Sequence, residues 1–412
     1  MIRMNESRSH SVFNIAVLVA ALGYFVDIYD LLLFAIVRID SLKSLGLTSQ
    51  QITSEGESIL TWQMAGLMIG GIIAGIIADR KGRLSVLFGS ILFYSLANIA
   101  NGMVHNVEQY KTVRFLAGLG LAGELGVGIT LVSELIPKEK RGIATSLVAG
   151  IGLTGAVVAF IMKKNFDWRT CYYIGGGLGL LLLILRISVF ESGMYKEVKK
   201  LDVRRGHFFM LFNNADRFKR YITSILIGLP TWFVIGVLVA FSSEFGKLMG
   251  IKDPIDPGKA IMYAYAAISI GDILIGFVSQ WMKSRKKALY LFYAITGLFM
   301  ILFFTAQWNG SAEKMYWICA GLGFGTGFWA IFVTMGAEQF GTNIRATAAT
   351  TIPNMVRGML AIFIIPIFKL FRGMTDYFTG GWIAAIVIMV ITLIAAYYTK
   401  ETFGKDLNYV ER

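Results

Sequence analysis

The chain has 412 residues, of which 56% are hydrophobic and 16% are charged, and its mean hydropathy is +0.63. Soluble domains are about 45–50% apolar, so this composition excludes a soluble protein and indicates an integral membrane protein. The formal net charge is +13, but the Lys and Arg residues gather in short loops between apolar runs, which argues against a nucleic-acid partner. Cys171 and Cys319 both fall in apolar segments, so the sequence offers no disulfide framework and no metal-binding cysteine cluster.

Twelve apolar segments of about 20 residues follow one another along the chain, and each is long enough to cross roughly 30 Å of hydrocarbon as an α-helix. The sequence lacks the shorter alternating segments of about 10 residues that form membrane barrels. We therefore predict an all-α membrane protein with twelve transmembrane helices. The predicted spans are approximately 13–37, 57–78, 84–104, 112–135, 143–165, 170–190, 220–245, 259–282, 288–307, 314–337, 348–371 and 381–400.

An even number of spans places both termini on the same side of the membrane. Loops on that side carry nearly twice as many Lys and Arg residues as the opposite loops, which indicates the cytoplasmic side. We therefore predict a multi-pass protein of the plasma membrane, specifically a bacterial inner membrane, with both termini cytoplasmic. The long polar segment 191–219 is predicted to be a basic cytoplasmic linker between an N-terminal six-helix bundle, 1–190, and a C-terminal six-helix bundle, 220–412.

The two halves of the chain share short features at a nearly constant offset. The segment "GIIADRKGR" from Gly75 corresponds to "GFVSQWMKSRKK" from Gly276, "GLG" at Gly118 to Gly321, and "ELIPKEKRG" from Glu134 to "EQFGTNIRA" from Glu338. The offsets are about 201, 203 and 204 residues. Two parallel six-helix repeats predict a substrate site between the pseudo-symmetric bundles, near the middle of the membrane, and transport by rocking of one bundle against the other.

The loop after the second span resembles the loop 2–3 signature of the major facilitator superfamily, Gly-x-x-x-Asp-Arg-x-Gly-Arg. The match falls on Gly75, Asp79, Arg80, Gly82 and Arg83. In that family these charges hold the two halves together, so the resemblance implies gating roles for Asp79, Arg80 and Arg83. An ion pair at the solvent edge is worth about 0–1 kcal/mol, which a transport cycle can break at every turnover.

Further segments resemble the sugar-porter and metabolite:proton symporter branches of the same family. They are "VDIYD" on the first span, "RFLAGLGLAGELG" and "SELIPKEKRG" on the fourth, and "DWRTCYYIGG" and "ESGMY" around the sixth. Asp27 stands where those symporters usually carry Glu, Ile28 replaces a Trp and Gly193 replaces a Pro. The glycine-rich antiporter pattern of the fifth span is incomplete, because Ala156 stands where its proline would be, and this disfavours drug antiport.

Two carboxylates on the first span are the main candidates for proton coupling. An acid at bilayer depth costs about 2.5–3.5 kcal/mol on insertion scales, so such groups usually face a cavity and have a function. Asp27 and Asp30 lie three residues apart on one helix face, and two acids this close are expected to titrate as a pair, one of them holding a proton near neutral pH. Glu124 on the fourth span is a third candidate. In the alternatives, Asp30 pairs with a neighbouring helix while only Asp27 faces the cavity, or the two acids bind a metal cation.

Arg114, one turn into the fourth span, is the last candidate for a role in proton coupling. It is expected to pair with Asp27 or Asp30, to bind an anionic substrate, or to reach the membrane interface. No histidine lies within a predicted span, so a proton relay must use carboxylates. We expect H⁺ rather than Na⁺ as the coupling ion, and we expect no cofactor and no resident metal.

Arg357, in "IPNMVRGMLAIF" on the eleventh span, is the main candidate for binding substrate. Asn354 lies one turn before it on the same face, and a cation beside an amide suits recognition of a carboxylate or phosphate. In the alternative, Arg357 pairs with Asp272. Aromatic residues Tyr24, Trp232 and Tyr265 are candidates for the cavity wall, and the alternative for any single one is packing or anchoring at the membrane interface. Gating ion pairs are expected at the ends of spans, where Glu134 precedes Arg141 and Glu338 precedes Arg345.

Taken together, these features predict a secondary active transporter that moves a small polar metabolite with a proton by alternating access, with an organic acid or other anion favoured. The alternatives are a sugar or polyol porter, an exporter of a drug, siderophore or metal ion, and a transport-inactive nutrient sensor. An enzyme is not expected, because no nucleophile–base pair, metal-ligand cluster or nucleotide loop is visible in the sequence. The expected partners are the lipid bilayer and a small-molecule substrate, with a monomeric protein.

Overall fold

The computed structural model describes residues 15–185, 199, 203, 205–305 and 311–411. Within these ranges twelve helices are long and apolar enough to cross a membrane, and no β-strand is present. The predicted all-α architecture is therefore confirmed. The helices are α1 (Ile15–Ser44), α2 (Ser54–Lys81), α3 (Arg83–Gly102), α4 (Val107–Leu135), α5 (Arg141–Asn165), α6 (Trp168–Leu185), α7 (Ala215–Val239), α8 (Pro257–Trp281), α9 (Arg285–Thr305), α10 (Ala312–Glu338), α11 (Arg345–Met374) and α12 (Tyr377–Tyr398).

Several helices extend past the predicted apolar spans. Hydropathy indicates only the part of a helix that lies in hydrocarbon, whereas the helix itself ends where its terminal backbone groups are capped. Helix α7 begins at Ala215, inside the segment predicted to be linker. The Asn214 side chain accepts hydrogen bonds from the backbone N–H groups of Asp216 and Arg217, at 2.9 and 3.2 Å, and so caps a polar first turn. Part of the predicted linker, 191–198, 200–202 and 204, lies outside the described residues, and the domain limits stay a prediction.

The first six helices contact the last six mainly through two helix pairs, α2 with α11 and α5 with α8. Glycines allow these helices to approach closely. A Cβ on Gly75 of α2 would lie 2.6 Å from Thr347 Cα of α11, and a Cβ on Gly276 of α8 would lie 2.6 Å from Ser146 Cβ of α5. The sequence repeat relates α2 to α8 and α5 to α11. The contact of α2 with α11 is therefore equivalent to the contact of α8 with α5, and the two six-helix halves pack with the pseudo-symmetry that the repeat predicts.

Helices α4 and α10 are both interrupted at equivalent points. Regular helix in α4 runs over Val107–Leu121 and Glu124–Leu135, and in α10 over Ala312–Gly325 and Trp329–Glu338. Helix α7 is also irregular, with a short segment Leu229–Phe233 followed by a π-helical turn. Interrupted backbone inside a membrane protein is tolerated where it is buried in protein or lines a cavity. The interruptions of α7 and α10 contribute Thr231, Trp232 and Trp329 to the cavity described next.

Candidate functional site

A small buried cavity lies where α1, α5, α7, α8, α10 and α11 converge. Each of its lining residues is at most 7% exposed, so the cavity is buried within the protein. Four residues predicted to bind substrate, Tyr24, Trp232, Tyr265 and Arg357, belong to the lining. The complete lining is Tyr24, Ile28, Leu31, Leu153, Thr231, Trp232, Tyr265, Ile268, Trp329 and Arg357.

Arg357 supplies the charge of this cavity. Its Nη1 donates a hydrogen bond to Asn354 Oδ1 at 3.0 Å, and its guanidinium carbon lies 5.8 Å from the centre of the Trp329 ring. Within the described residues, Arg357 forms no ion pair and its Nε has no hydrogen-bond partner. A buried cation without a counterion is strongly unfavourable, so the arrangement is suited to receive an anion.

The expected alternative, a pair between Arg357 and Asp272, is wrong. The Asp272 carboxylate instead accepts a hydrogen bond from the Ala330 backbone N–H at 2.9 Å, at the start of the second segment of α10. The unsatisfied N–H groups at that helix end draw the carboxylate toward α10.

Other polar atoms of the cavity residues are also unpaired. In the described part of the chain, Trp232 Nε1 and Thr231 Oγ1 are buried without hydrogen-bond partners. An indole N–H and a guanidinium N–H only donate, and a hydroxyl both donates and accepts. A carboxylate only accepts, so it matches this set better than a neutral group that must also donate. The four rings of Tyr24, Trp232, Tyr265 and Trp329 supply apolar walls around it.

Asn354 does not line the cavity, in contrast to its predicted role as a substrate ligand. Its Nδ2 donates to the backbone oxygens of Ala122 and Thr350, at 2.9 and 2.8 Å, while its Oδ1 accepts from Arg357. Both amide N–H groups are thus used within the protein, and none is left to donate to a substrate. Asn354 fixes the Arg357 side chain and ties it to the interruption of α4.

The two aspartates of α1 are completely buried, but neither belongs to the cavity lining. The lining face of α1 consists of Tyr24, Ile28 and Leu31. Asp30 instead points toward α6, where a Cβ on Gly175 would collide with its Oδ1. The Asn98 amide of α3 lies beside the Asp30 carboxylate without a hydrogen bond of normal geometry. Asp30 is therefore inside the group of the first six helices, and the expectation that both acids face the cavity together is wrong for it.

Asp27 lies closer to the cavity than Asp30. Tyr24, one turn earlier on α1, is a lining residue that interacts electrostatically with both Asp27 and Arg357. Asp27 is therefore coupled electrostatically to a residue of the cavity wall. Glu124 begins the second segment of α4 and is 1% exposed, but it is not a lining residue either.

Arg114 is completely buried, so it does not reach the membrane interface. Its Nη2 donates to the Asp30 backbone oxygen at 3.0 Å, and its Nε donates to Gln63 Oε1 at 3.3 Å. The guanidinium carbon lies 5.7 Å from the centre of the Tyr172 ring. Arg114 thus lies near Asp30, away from the cavity, but it bonds the backbone of that residue and not its carboxylate.

Charged residues form a second site at the helix ends where α2, α3, α4, α5, α9, α10 and α11 meet. Glu134 accepts from Arg83 Nη2 at 2.9 Å and from Arg345 Nη1 at 2.8 Å. Glu338 accepts from Arg285 Nη2 and from Arg141 Nη1, both at 3.2 Å. The network comprises Asp79, Arg83, Glu134, Arg141, Arg285, Glu338 and Arg345, and we call it the gating network.

Each glutamate of the gating network is bound by one arginine from its own half and one from the other half. In the sequence, Arg141 follows Glu134 and Arg345 follows Glu338. The ion pairs between the halves are crossed, because Glu134 pairs with Arg345 and Glu338 pairs with Arg141. The turn between each glutamate and the arginine that follows it carries the arginine toward the other half. The expectation of solvent-edge pairs is also wrong, because Arg83, Arg345 and Glu338 are completely buried.

Asp79 and Arg80 have different surroundings, although the resemblance implied gating for both. Asp79 accepts from the backbone N–H groups of Ala346 and Thr347, at 3.1 and 2.8 Å, and so caps α11 from the other half. Arg80 is exposed, and its Nε donates to the Arg205 backbone oxygen in the linker. The structure thus links Asp79 to the opposite half and Arg80 to the linker.

The segment after α12 was not recognised in the sequence as part of any site, yet it covers the gating network. Thr402 Oγ1 donates to Glu338 Oε2 at 2.7 Å, Arg141 donates to the Lys405 backbone oxygen at 3.3 Å, and Leu407 is completely buried. Glu401 caps α9 by accepting from the Arg285 backbone N–H at 3.0 Å. Only the charge of "KETFGKDLNYVE" marks this segment in the sequence, and charge alone does not indicate a docked segment.

The family model of the Major Facilitator Superfamily matches residues 13–364. Because the match spans most of the chain, and the twelve-helix fold agrees with it, the chain belongs to this superfamily of transporters. The protein is thus a multi-pass membrane transporter of a small molecule and not an enzyme.

Individual transporters are similar to this chain over most of its length. The niacin transporter NiaP of Acinetobacter baylyi is 25% identical over 95% of this chain and 95% of its own length. The cis,cis-muconate transport protein of the same organism is 26% identical over 82% of this chain and 83% of its own. Among solved structures, the proton:xylose symporter XylE bound to 6-bromo-6-deoxy-D-glucose has a TM-score of 0.73 at 16% identity, covering 98% of this chain and 99% of that one. This last likeness shows the fold alone.

Proposed function

We propose that the protein carries a small organic acid, as its carboxylate anion, across the membrane together with a proton. The observation that carries the proposal is the position of Arg357, a buried cation without an ion-pair partner among the described residues, in a buried cavity. A substrate carboxylate would supply the missing counterion and accept from the unpaired Arg357 Nε and Trp232 Nε1.

The walls of the cavity favour a planar, unsaturated acid. Four aromatic rings line it, and stacked or edge-to-face contacts with such rings favour a flat π-system. Relatives named for niacin and for cis,cis-muconate are transporters of organic acids, which supports the same substrate class here. The cavity as observed is small, so we propose that it is the occluded state of the cycle and widens when the two halves separate.

Asp27 is the proton carrier in this proposal. A carboxylate that enters beside Arg357 neutralises that cation, and the change in charge reaches Asp27 electrostatically, since Tyr24 of the cavity wall senses both groups. Protonation of Asp27 then removes a buried negative charge from the loaded protein within the membrane, which favours its rearrangement. Asp30, held beside Asn98 and Gly175, and Glu124, in the interruption of α4, are second candidates for the same role.

The gating network closes one side of the cavity, which the charge distribution predicts to be cytoplasmic. Opening that side requires the bonds from Glu134 to Arg345, from Glu338 to Arg141 and from Asp79 to α11 to break together. Once apart, these charges are hydrated, and hydration offsets the loss of their buried pairing.

Transport by purified protein in proteoliposomes with a pH-sensitive dye inside tests the proposal. The panel contains planar carboxylic acids, their neutral amides and xylose. We expect the acids, but not the amides or xylose, to acidify the lumen, and Asp27→Asn to abolish acidification while retaining exchange of substrate across the membrane. Movement of acids without protons would exclude symport. Uptake of xylose by both the wild type and Arg357→Gln would replace the proposal with a sugar porter.

A further inference from the structure

The second segment of α10 begins without a cap from its own sequence. Helix resumes at Trp329 after a turn through Thr326, Gly327 and Phe328, and the preceding residue, Phe328, offers no side-chain acceptor for the free N–H groups. Four backbone N–H groups at a helix start need partners. Asp272 of α8 supplies one, since its Oδ1 accepts from the Ala330 N–H at 2.9 Å while the Trp329 N–H faces the same carboxylate.

The backbones of α8 and α10 touch at the same point. A Cβ on Gly327 would lie 2.6 Å from Gly271 Cα, and a Cβ on Gly271 would lie 2.7 Å from the Phe324 backbone oxygen. Neither glycine has an unusual backbone conformation, so the glycines are required by the close approach alone. The approach brings the Asp272 side chain to the start of the second segment of α10.

That segment begins with a residue of the cavity wall. Trp329 lines the cavity and faces Arg357, with 5.8 Å from the guanidinium carbon to the ring centre. Tyr265 and Ile268, two turns and one turn before Asp272 on α8, line the same cavity. The contact between Asp272 and α10 therefore sets the distance between two walls of the site.

We propose that Asp272 is a positioning residue for substrate recognition: it caps α10 from α8 and thereby holds Trp329 against Arg357. Asp272 does not touch the cavity and acts through Trp329. This inference rests on the proposed function for its effect on transport, but the placement of Trp329 is a property of the substrate-free protein. The second carboxylate oxygen, Oδ2, has no hydrogen-bond partner within the described residues, so the cap needs one acceptor and not a full charge.

Substitution by Asn separates positioning from proton transport, because Asn caps helices as well as Asp does. Asp272→Ala should raise the KM for a planar acid about tenfold, equivalent to about 1.4 kcal/mol, with kcat nearly unchanged. Asp272→Asn should restore the wild-type KM and still accumulate substrate when an inward proton gradient drives uptake. Asp376→Ala is the matched control, because Asp376 caps α12 at an exposed position, accepting from Phe378 and Thr379, and its loss should leave KM unchanged.

A measurement without substrate distinguishes failure of this inference from failure of the proposed function. In protein labelled with 5-fluorotryptophan, the ¹⁹F resonance of Trp329, assigned with Trp329→Phe, should shift in Asp272→Ala and not in Asp272→Asn or Asp376→Ala. If Asp272→Ala does not fold, Gly327→Ala displaces the same contact and should shift the same resonance. An unmoved resonance in the variant that folds would overturn the inference, and so would loss of accumulation in Asp272→Asn, which would make Asp272 a proton carrier.

Discussion

The Glu134 Oε1 atom lies 2.8 Å from Arg345 Nη1, although 211 residues separate the two in the chain. Its counterpart by the sequence repeat, Glu338 with Arg141, spans 197 residues and measures 3.2 Å. The two pairs join the halves at pseudo-equivalent places, so the closed gate is held by a duplicated contact. Both pairs are buried, and this burial decides how costly they are to break.

The first prediction concerns this gate. Removing one partner of a buried pair is expected to cost about 3–5 kcal/mol, because the other charge stays buried without its partner. Arg345→Ala should therefore populate the state that is open on the gated side. Alkylation of a cysteine introduced by Leu153→Cys in the cavity wall measures this, since Cys171 and Cys319 are both buried.

The control for this experiment is a partly exposed ion pair away from the gating network. Lys111 lies 2.9 Å from Glu55 with partly exposed side chains, and such pairs are worth about 0–1 kcal/mol. Lys111→Ala should leave alkylation of the introduced cysteine unchanged. Equal alkylation in the Arg345→Ala and Lys111→Ala backgrounds would mean that the buried pair does not hold the gate.

The second prediction concerns the indole of Trp232. Its Nε1 is unpaired in the described structure and, in the proposed complex, donates to the substrate carboxylate. A hydrogen bond to a charged group is worth about 1.5–3 kcal/mol, so Trp232→Phe should weaken binding by about 10- to 150-fold. Isothermal titration of purified protein with the transported acid measures the change. Trp317, 64% exposed on α10, provides the control, and an equal effect of Trp317→Phe would remove the argument for direct contact.

The third prediction concerns the contact between α4 and α11. A Cβ on Gly126 would lie 2.6 Å from the Ala349 backbone oxygen, in the segment of α4 that also carries Glu134 of the gating network. Gly126→Ala should push the helices apart and increase alkylation of the same introduced cysteine. A Cβ on Gly177 of α6 would meet no atom of the described residues within 4 Å, so Gly177→Ala should leave accessibility unchanged and stabilise the helix by about 1 kcal/mol. Normal closure in Gly126→Ala would show that the helices tolerate the extra methyl group.

The fourth prediction concerns pH and the segment after α12. Burial acts to raise the pKa of Glu401, but hydrogen bonds from Ser284 and from the backbone of Phe403, Arg285 and Lys286 outweigh it and lower the pKa below its usual 4.5. A carboxyl whose pKa is lower in the folded protein stabilises it fully above pH 4.5, and that stability is lost as the pH falls through the folded pKa.

Thermal unfolding measured between about pH 3 and pH 7 tests this expectation, because that range covers the usual titration of carboxyl groups. The wild type should lose stability on acidification, and Glu401→Gln should lose less because it has no proton to gain. Asp406, exposed in the same segment, serves for comparison through Asp406→Asn. Parallel acid losses in the wild type and Glu401→Gln would assign the pH dependence to other carboxylates.

Much of the fold was predictable because the bilayer imposes a strong rule on sequence. A span without internal hydrogen bonds is not tolerated in hydrocarbon, so each apolar run of about 20 residues must be a helix. The repeat between Glu134 and Glu338 likewise revealed the equivalence of the two helix ends. The interruptions of α4 and α10 were not predicted, since their glycines also suit ordinary close packing.

The candidate site was predictable in part. Arg357 and the rings of Tyr24, Trp232 and Tyr265 were selected as rare or large side chains in the spans, and the structure brings them to one cavity. Asn354 shares the helix face of Arg357, but hydrogen bonds to Ala122 and Thr350 use its amide elsewhere. Helical spacing indicates which residues share a face of one helix, but it does not indicate which neighbouring helix packs against that face.

The sequence by itself determined that this protein resides in a membrane, how many spans it has, that its halves repeat and which family it resembles. Each of these follows from local hydrophobicity or from a local motif. The tertiary structure decided which charges meet. Asp30 turns toward α6, Asp272 caps α10, and Glu134 pairs with Arg345 of the other half. A buried charge takes whichever partner the packing brings within about 3 Å, and that partner comes from helices far away in the chain.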